Sequence, residues 1–168
     1  MNCFRLPNLP NSLYEEIRVD ELLDESLREA FDRAQLSQVS IEKNYSAENI
    51  WLNVDRTRMK IALLNIIVNA LEAITGEQGR LYLDTSAVNN HCLITIRDNG
   101  KGMDGETLSK VFDPYFTSKS NGNGLGMTNT QNIILNHKGK IEVFSEVGKG
   151  TSFIISLNIL RKGSHTAV

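Results

Sequence analysis

Asp55-Arg-Thr-Arg-Met-Lys-Ile-Ala-Leu-Leu-Asn-Ile-Ile-Val-Asn-Ala-Leu-Glu-Ala-Ile74 is the stretch on which the fold turns. Asp55 can cap a helix over Arg56 to Ile74, with Gly76 as its stop. Met59, Ile61, Leu64, Ile67, Val68 and Leu71 occupy most of its circumference, so burial nearly all round is expected. Four residues break the pattern. Arg58, Asn65, Asn69 and Glu72 fall at spacings of seven, four and three and share one narrow stripe. A buried carboxamide costs free energy unless it is hydrogen-bonded. Either both asparagines satisfy neighbouring backbone groups, or the stripe faces a polar cavity. In such a cavity an amide oxygen could ligate Mg²⁺, which takes oxygen ligands and shares its sphere with water and phosphates.

Downstream of this helix, Arg80–Val88 and Cys92–Arg97 read as strands joined by Asn89-Asn90, a hairpin signal. A Gly- and Asp-rich stretch follows at Asp98–Gly105, then a short helix over Glu106–Val111 and a long loop containing Pro114. A helix over Leu125–Asn136 and two strands, Lys140–Ser145 and Thr151–Leu160, close the chain. Upstream, Tyr14–Val19 reads as a strand. Asp20 can cap a helix over Glu21–Gln35, and Val39–Tyr45 and Ile50–Val54 read as further strands. Helices separated by strand pairs predict an α/β two-layer sandwich, a mixed β-sheet with its helices packed on one face. Pro7 and Pro10 mark the first dozen residues as a linker.

With 168 residues, 40% of them hydrophobic, the chain can build one domain around one core. Its net charge of -2 gives no electrostatic case for nucleic acid as a partner. No apolar run reaches the length of a bilayer span, so no direct membrane insertion is expected. Cys3 and Cys92 suit neither a disulfide framework nor a metal knuckle and read as reduced thiols of a cytoplasmic domain.

Two glycine-rich segments carry chemistry. Asp98-Asn-Gly-Lys-Gly-Met103 follows a strand directly; Gly100 and Gly102 would admit a flat ligand to the backbone, and the Asp98 carboxylate would suit an adenine amino group. A simple β-turn is the plain alternative. Gly122-Asn-Gly-Leu-Gly126 opens a helix, an arrangement that aims backbone N–H groups at a phosphate. It is neither a P-loop nor a dinucleotide fingerprint in its usual place.

Read in order, Asn65-Ile-Ile-Val-Asn-Ala-Leu-Glu-Ala73, Asp98-Asn-Gly-Lys-Gly-Met103, Val111-Phe-Asp-Pro-Tyr-Phe-Thr-Ser-Lys119, Gly122-Asn-Gly-Leu-Gly-Met127 and Gly148-Lys-Gly-Thr151 resemble the N, G1, F, G2 and G3 boxes of histidine kinase catalytic domains. These belong to the superfamily of gyrase B, Hsp90 and MutL ATPases, whose fold is the Bergerat sandwich with a mobile ATP lid. The resemblance implies ATP and Mg²⁺ as ligands. It implies that Asn69 coordinates the metal and Asn65 supports it or its water shell. Asp98 would bind the adenine amino group, with Gly100, Gly102 and Met103 at the base and Thr151 assisting. Gly122, Gly124, Leu125 and Gly126 would line the phosphates. The lid would run from Phe112 to Gly122, with Lys119 meeting the terminal phosphates and Phe112 and Phe116 as anchors. For Arg58 a phosphate contact and a salt bridge both stay open, and the role of Glu72 is open too.

Hydrolytic members of the superfamily carry Glu where Asn65 stands, and an amide is a poor base, so transfer to an external acceptor is favoured. Asn-Ala-x-Glu-Ala is similar to the nitrogen-regulator and oxygen-sensor type. Such kinases present the acceptor histidine on a helical hairpin, usually before an acidic residue; His91, His137 and His165 have no such setting and read as surface or capping residues. The expectation is a linker remnant at 1–12, a catalytic domain at 13–160 and a flexible tail at 161–168. The domain would pass the γ-phosphoryl group of Mg-ATP to a histidine on a separate dimerisation domain, with a response regulator downstream. A free-standing ATPase or anti-sigma-type serine kinase, and a nucleotide sensor without catalysis, are the alternatives.

Overall fold

In chain order the elements are β1 (Tyr14–Arg18), α1 (Val19–Ala34), β2 (Val39–Asn44), β3 (Trp51–Asp55), α2 (Arg56–Ala73), β4 (Gly79–Val88), β5 (His91–Asp98), α3 (Gly105–Ser109), α4 (Gly126–Asn136), β6 (Lys140–Glu146) and β7 (Gly150–Asn158). They come from a computed structural model that describes residues 13–34, 38–117 and 124–161. Order and type of element match the sequence reading, and the ends move by a few residues. Val19 begins α1 instead of ending a strand, and α3 stops at Ser109, two residues short of Val111. The proposed linker at 1–12, and the tail apart from Arg161, lie outside the described residues.

The main sheet has the order β2-β4-β5-β7-β6. Only β2 and β4 run parallel; the other three pairings are antiparallel, which makes the sheet mixed. Along its central strands, Leu81 and Leu83, Ile94 and Ile96, and Phe153 and Ile155 are buried on one face. Helices α1, α2 and α4 cover that face. Asn89 and Asn90 turn the β4–β5 hairpin with φ of 49° and 67°, the left-handed pair that a two-residue turn needs.

Helix α2 lies between α1 and α4. Asp55 caps it by accepting the Arg58 N–H, as read from the sequence, and Leu63, Ile66, Ile67 and Leu71 are fully buried. Burial all round is corrected: Ile61 is 41% exposed and Val68 half-buried, because two flanking helices and a sheet leave one stripe of α2 to solvent. Strands β1 and β3 form a separate two-stranded antiparallel sheet, with Tyr14 opposite Asp55. No helix among the described residues is long and apolar enough to cross a membrane.

His137 is the half-buried C-cap of α4. Its Nδ1 bonds the Ile133 carbonyl oxygen at 2.7 Å and its Nε2 accepts the Asp55 N–H at 3.0 Å. The ring stacks on Tyr14 with centroids 5.0 Å apart. One imidazole thus ties the end of α4 to the start of α2 and to β1.

Candidate active site

The C-terminal half of α2, the end of β5, the start of β7 and the N-terminus of α4 converge on a cleft. Its interior volume is about 260 Å³. Of the residues singled out in the sequence, Asn69, Asp98, Gly102, Met103, Gly124, Gly126 and Thr151 line it. Asn65, Gly100 and Leu125 are not among the lining residues, and Lys119 and Gly122 lie outside the described residues.

At one end Asp98 is 4% exposed, and its Oδ1 accepts the Gly100 N–H at 2.8 Å. Burial pushes its carboxyl above the ordinary aspartate range, while N–H groups of Gly100 and Thr151 pull it back. Thr151 is its direct partner across the β5–β7 pair. The loop after Asp98 is more than a turn. The Lys101 N–H donates to the Ala73 carbonyl at the end of α2 (2.9 Å), and the Lys101 carbonyl accepts the Gly148 N–H of the β6–β7 hairpin (2.8 Å). A Cβ on Gly100 would meet the Ala73 oxygen at 2.4 Å, and one on Gly102 the Glu146 oxygen at 2.0 Å. What these glycines admit is therefore neighbouring backbone, which draws three segments together around the carboxylate; Gly102 also needs its φ of +68°.

At the other end Leu125 is the N-cap of α4 and offers no side-chain acceptor, so the N–H groups of Gly126, Met127 and Thr128 receive none from the cap. Together with the helix dipole they favour an anion there. Gly124, at φ +71°, packs so tightly on Tyr115 that a Cβ would lie 2.3 Å from its carbonyl carbon. The Asn65 amide nitrogen donates to the Gly126 carbonyl and to the Thr130 Oγ1, each at 3.2 Å. Gly126 O carries no hydrogen, which fixes the orientation of that amide: nitrogen toward α4, oxygen on the other side. Of the two possibilities open for the asparagines, Asn65 thus satisfies a neighbouring helix, and half-buried Asn69 faces the cleft.

The rest of the stripe divides in the same way. Glu72 lines the cleft, whereas Arg58 pairs with Asp55 at 3.6 Å and has a side chain 66% exposed. The salt bridge is the arrangement observed. Phe112 packs edge-on against Phe153, and Phe116 lines the cleft. Sequence reasoning missed the apolar wall of Val111, Met127 and Phe153. Its only signal was that Val111 opens one quoted motif and Met127 closes another. Among the described residues no group of three or more His, Cys, Asp or Glu could hold a metal ion. One amide and one carboxylate fit a cation that takes most of its oxygens from phosphate and water.

Residues 54–161 match the family of histidine kinase-, DNA gyrase B- and HSP90-like ATPases. The chain is 34% identical over 157 residues to the signal transduction histidine-protein kinase AtoS of Escherichia coli, covering 93% of this chain and 26% of AtoS. It is 32% identical to sporulation kinase A of Bacillus subtilis, covering 87% of this chain and 24% of that kinase. The catalytic domain of histidine kinase ThkA superposes with a TM-score of 0.75 at 27% identity, over 86% of this chain and 95% of that domain. The chain belongs to the histidine kinase-, gyrase B- and HSP90-like ATPase family. Within it, the resemblance is to the ATP-binding domain of sensor histidine kinases. It spans about a quarter of the length of these two curated relatives.

Proposed function

We propose that this domain binds Mg-ATP in the cleft and donates the γ-phosphoryl group to a histidine on a separate dimerisation domain, a response regulator being the next acceptor. The observation that carries the reading is the pairing of a buried carboxylate at one end of the cleft with an uncapped helix N-terminus at the other. Asp98 would accept the adenine amino group, and the first turn of α4 would hold phosphate oxygens. Asn69 would hold Mg²⁺ through its amide oxygen, where the ion would neutralise charge on the phosphates. Asn65 would serve by keeping the start of α4 against α2. Lys119 would meet the terminal phosphates from the lid.

In the transfer the bond between the γ-phosphorus and the β–γ bridging oxygen breaks and ADP leaves with the electron pair. A phosphorus–nitrogen bond forms to the acceptor imidazole. The chain's own contribution is positioning and charge compensation, with no covalent nucleophile of its own. Hydrolytic members of the superfamily carry Glu at the Asn65 position, and an amide does not supply that base. The names of the relatives support the kinase reading. A domain with these ligands and partners would work in the cytoplasm.

The test mixes this chain with radiolabelled ATP and candidate dimerisation domains. An acid-labile, alkali-stable label on the added domain is the expected result. Steady hydrolysis by the chain alone would make it an ATPase. Nucleotide binding with no label on any supplied domain would make it a sensor.

A further inference from the structure

Ser145, on β6, joins three segments of the base end of the cleft through one hydroxyl. Its Oγ accepts the Met103 N–H at 2.8 Å, lies 3.1 Å from the Gly150 carbonyl oxygen and 2.7 Å from the Thr151 Oγ1. A hydroxyl has one hydrogen and two lone pairs. The Gly150 oxygen can only accept. All three contacts are therefore hydrogen bonds at once in a single arrangement: Ser145 donates to Gly150, and Thr151 donates to Ser145. The one hydrogen of the Thr151 hydroxyl is then committed, and its oxygen can offer the cleft only a lone pair. Asp98, opposite Thr151 in the β5–β7 register, offers a carboxylate beside it.

We propose that Ser145 is a positioning residue that sets base specificity: it holds Thr151 as an acceptor, so that two acceptors stand side by side at the base end of the cleft. Such a pair can take the two hydrogens of one exocyclic amino group, one each, and repels a carbonyl in the same place. The inference rests on the nucleotide reading above and adds to it the residue that decides the polarity of the Thr151 hydroxyl. Without Ser145 the Thr151 hydrogen is free to turn into the cleft and donate to a carbonyl.

The experiment titrates ATP, inosine triphosphate, which carries a carbonyl in place of the amino group and a hydrogen on the adjacent ring nitrogen, and 1-methylinosine triphosphate, which keeps the carbonyl without that hydrogen, against wild type, Ser145→Ala and Ser145→Thr, and records the thermal unfolding of each. The preference for ATP over both inosine nucleotides should fall roughly three- to tenfold in Ser145→Ala, the range of one ordinary hydrogen bond. Ser145→Thr, which keeps the hydroxyl, should retain the preference. A merely structural role would lower thermal stability and weaken all the nucleotides alike, and that result, or an unchanged preference in a folded variant, overturns the proposal. Should Ser145→Ala fail to fold, Thr151→Val must by itself lower the preference; if it does not, the proposal falls. Wild type that binds none of the nucleotides removes the nucleotide reading and this inference together. Wild type that prefers ATP while Ser145→Ala prefers it equally removes this inference alone.

Discussion

The two ends of the cleft are built by opposite means. The end proposed for the base is finished before any ligand arrives. Asp98 and Thr151 are buried, backbone from α2, β5 and the β6–β7 hairpin is drawn in around them, and their polar groups already have partners. The end proposed for the phosphates is built differently: α4 begins without a side-chain cap, and Asn69 and Glu72 line the cleft from the last turns of α2. The contrast teaches where each kind of recognition comes from. A flat base with few polar atoms is selected by fixed acceptors in a dry pocket. A highly charged triphosphate needs donors and a cation that can follow it.

That contrast can be broken at three points. The largest effect should come from Asn69→Ala, which removes the amide oxygen offered to the metal. The gain in ATP affinity on adding magnesium should disappear, a loss larger than the roughly 10–100-fold seen when only outer-shell groups of metal sites are removed. Calorimetric titrations with and without magnesium check this, and an unchanged magnesium effect would take the metal away from Asn69.

Next comes Asp98→Asn, expected to weaken ATP roughly tenfold to a hundredfold, as for a hydrogen bond to a charged group, while sparing inorganic triphosphate. Equal losses for both ligands would count against an adenine contact. The same substitution should act the other way on stability. Burial raises the folded-state pKa of Asp98, so the folded protein holds that proton more tightly than the unfolded chain. Stability therefore falls as pH rises through the window between the unfolded and folded values, and the cost persists at neutral pH. Ligand-free Asp98→Asn should melt no lower than wild type at pH 7, and higher by the size of that cost. A lower midpoint would show that the two N–H bonds to the carboxylate outweigh its burial.

The smallest effect should come from Thr130→Val. Its hydroxyl donates to Gly126 O at 2.8 Å and accepts from Asn65, so its loss should cost about 1 kcal/mol in urea unfolding. Nucleotide affinity should change by only a few-fold. A loss as large as that of Asp98→Asn would mean that the phosphate end is as rigidly set as the base end.

Features with a local period or a fixed spacing were legible in the sequence. The cap and length of α2, the alternation along β4, β5 and β7, and the Asn89-Asn90 turn all depend on residues near one another in the chain. So did the gathering of Asn69, Asp98 and Thr151, since the motifs that hold them end or begin regular elements. What depends on packing was not legible. Nothing local says that β1 pairs with β3 across the whole of α1 and β2, or that Ile61 falls on the uncovered stripe of an almost wholly apolar helix. Gly100 and Gly102 read as openings for a ligand because backbone from α2 and the β6–β7 hairpin, brought to them only by folding, is invisible in the chain. Ser145 sits in an alternating strand like any half-exposed serine. Phe116 reads as an anchor alongside Phe112, and nothing local shows that its ring lines the cleft.

The tie made by His137 has a consequence for reactivity. Since the Asp55 N–H can only donate, Nε2 of that ring must hold the lone pair it receives, and Nδ1 must carry the hydrogen given to Ile133. The single nitrogen able to attack phosphorus is thus already spent on a backbone amide. His91 lies at the far end of β5, about 23 Å of extended strand from Asp98. Neither imidazole among the described residues is placed to serve as nucleophile to its own cleft, which agrees with the acceptor proposed on another domain.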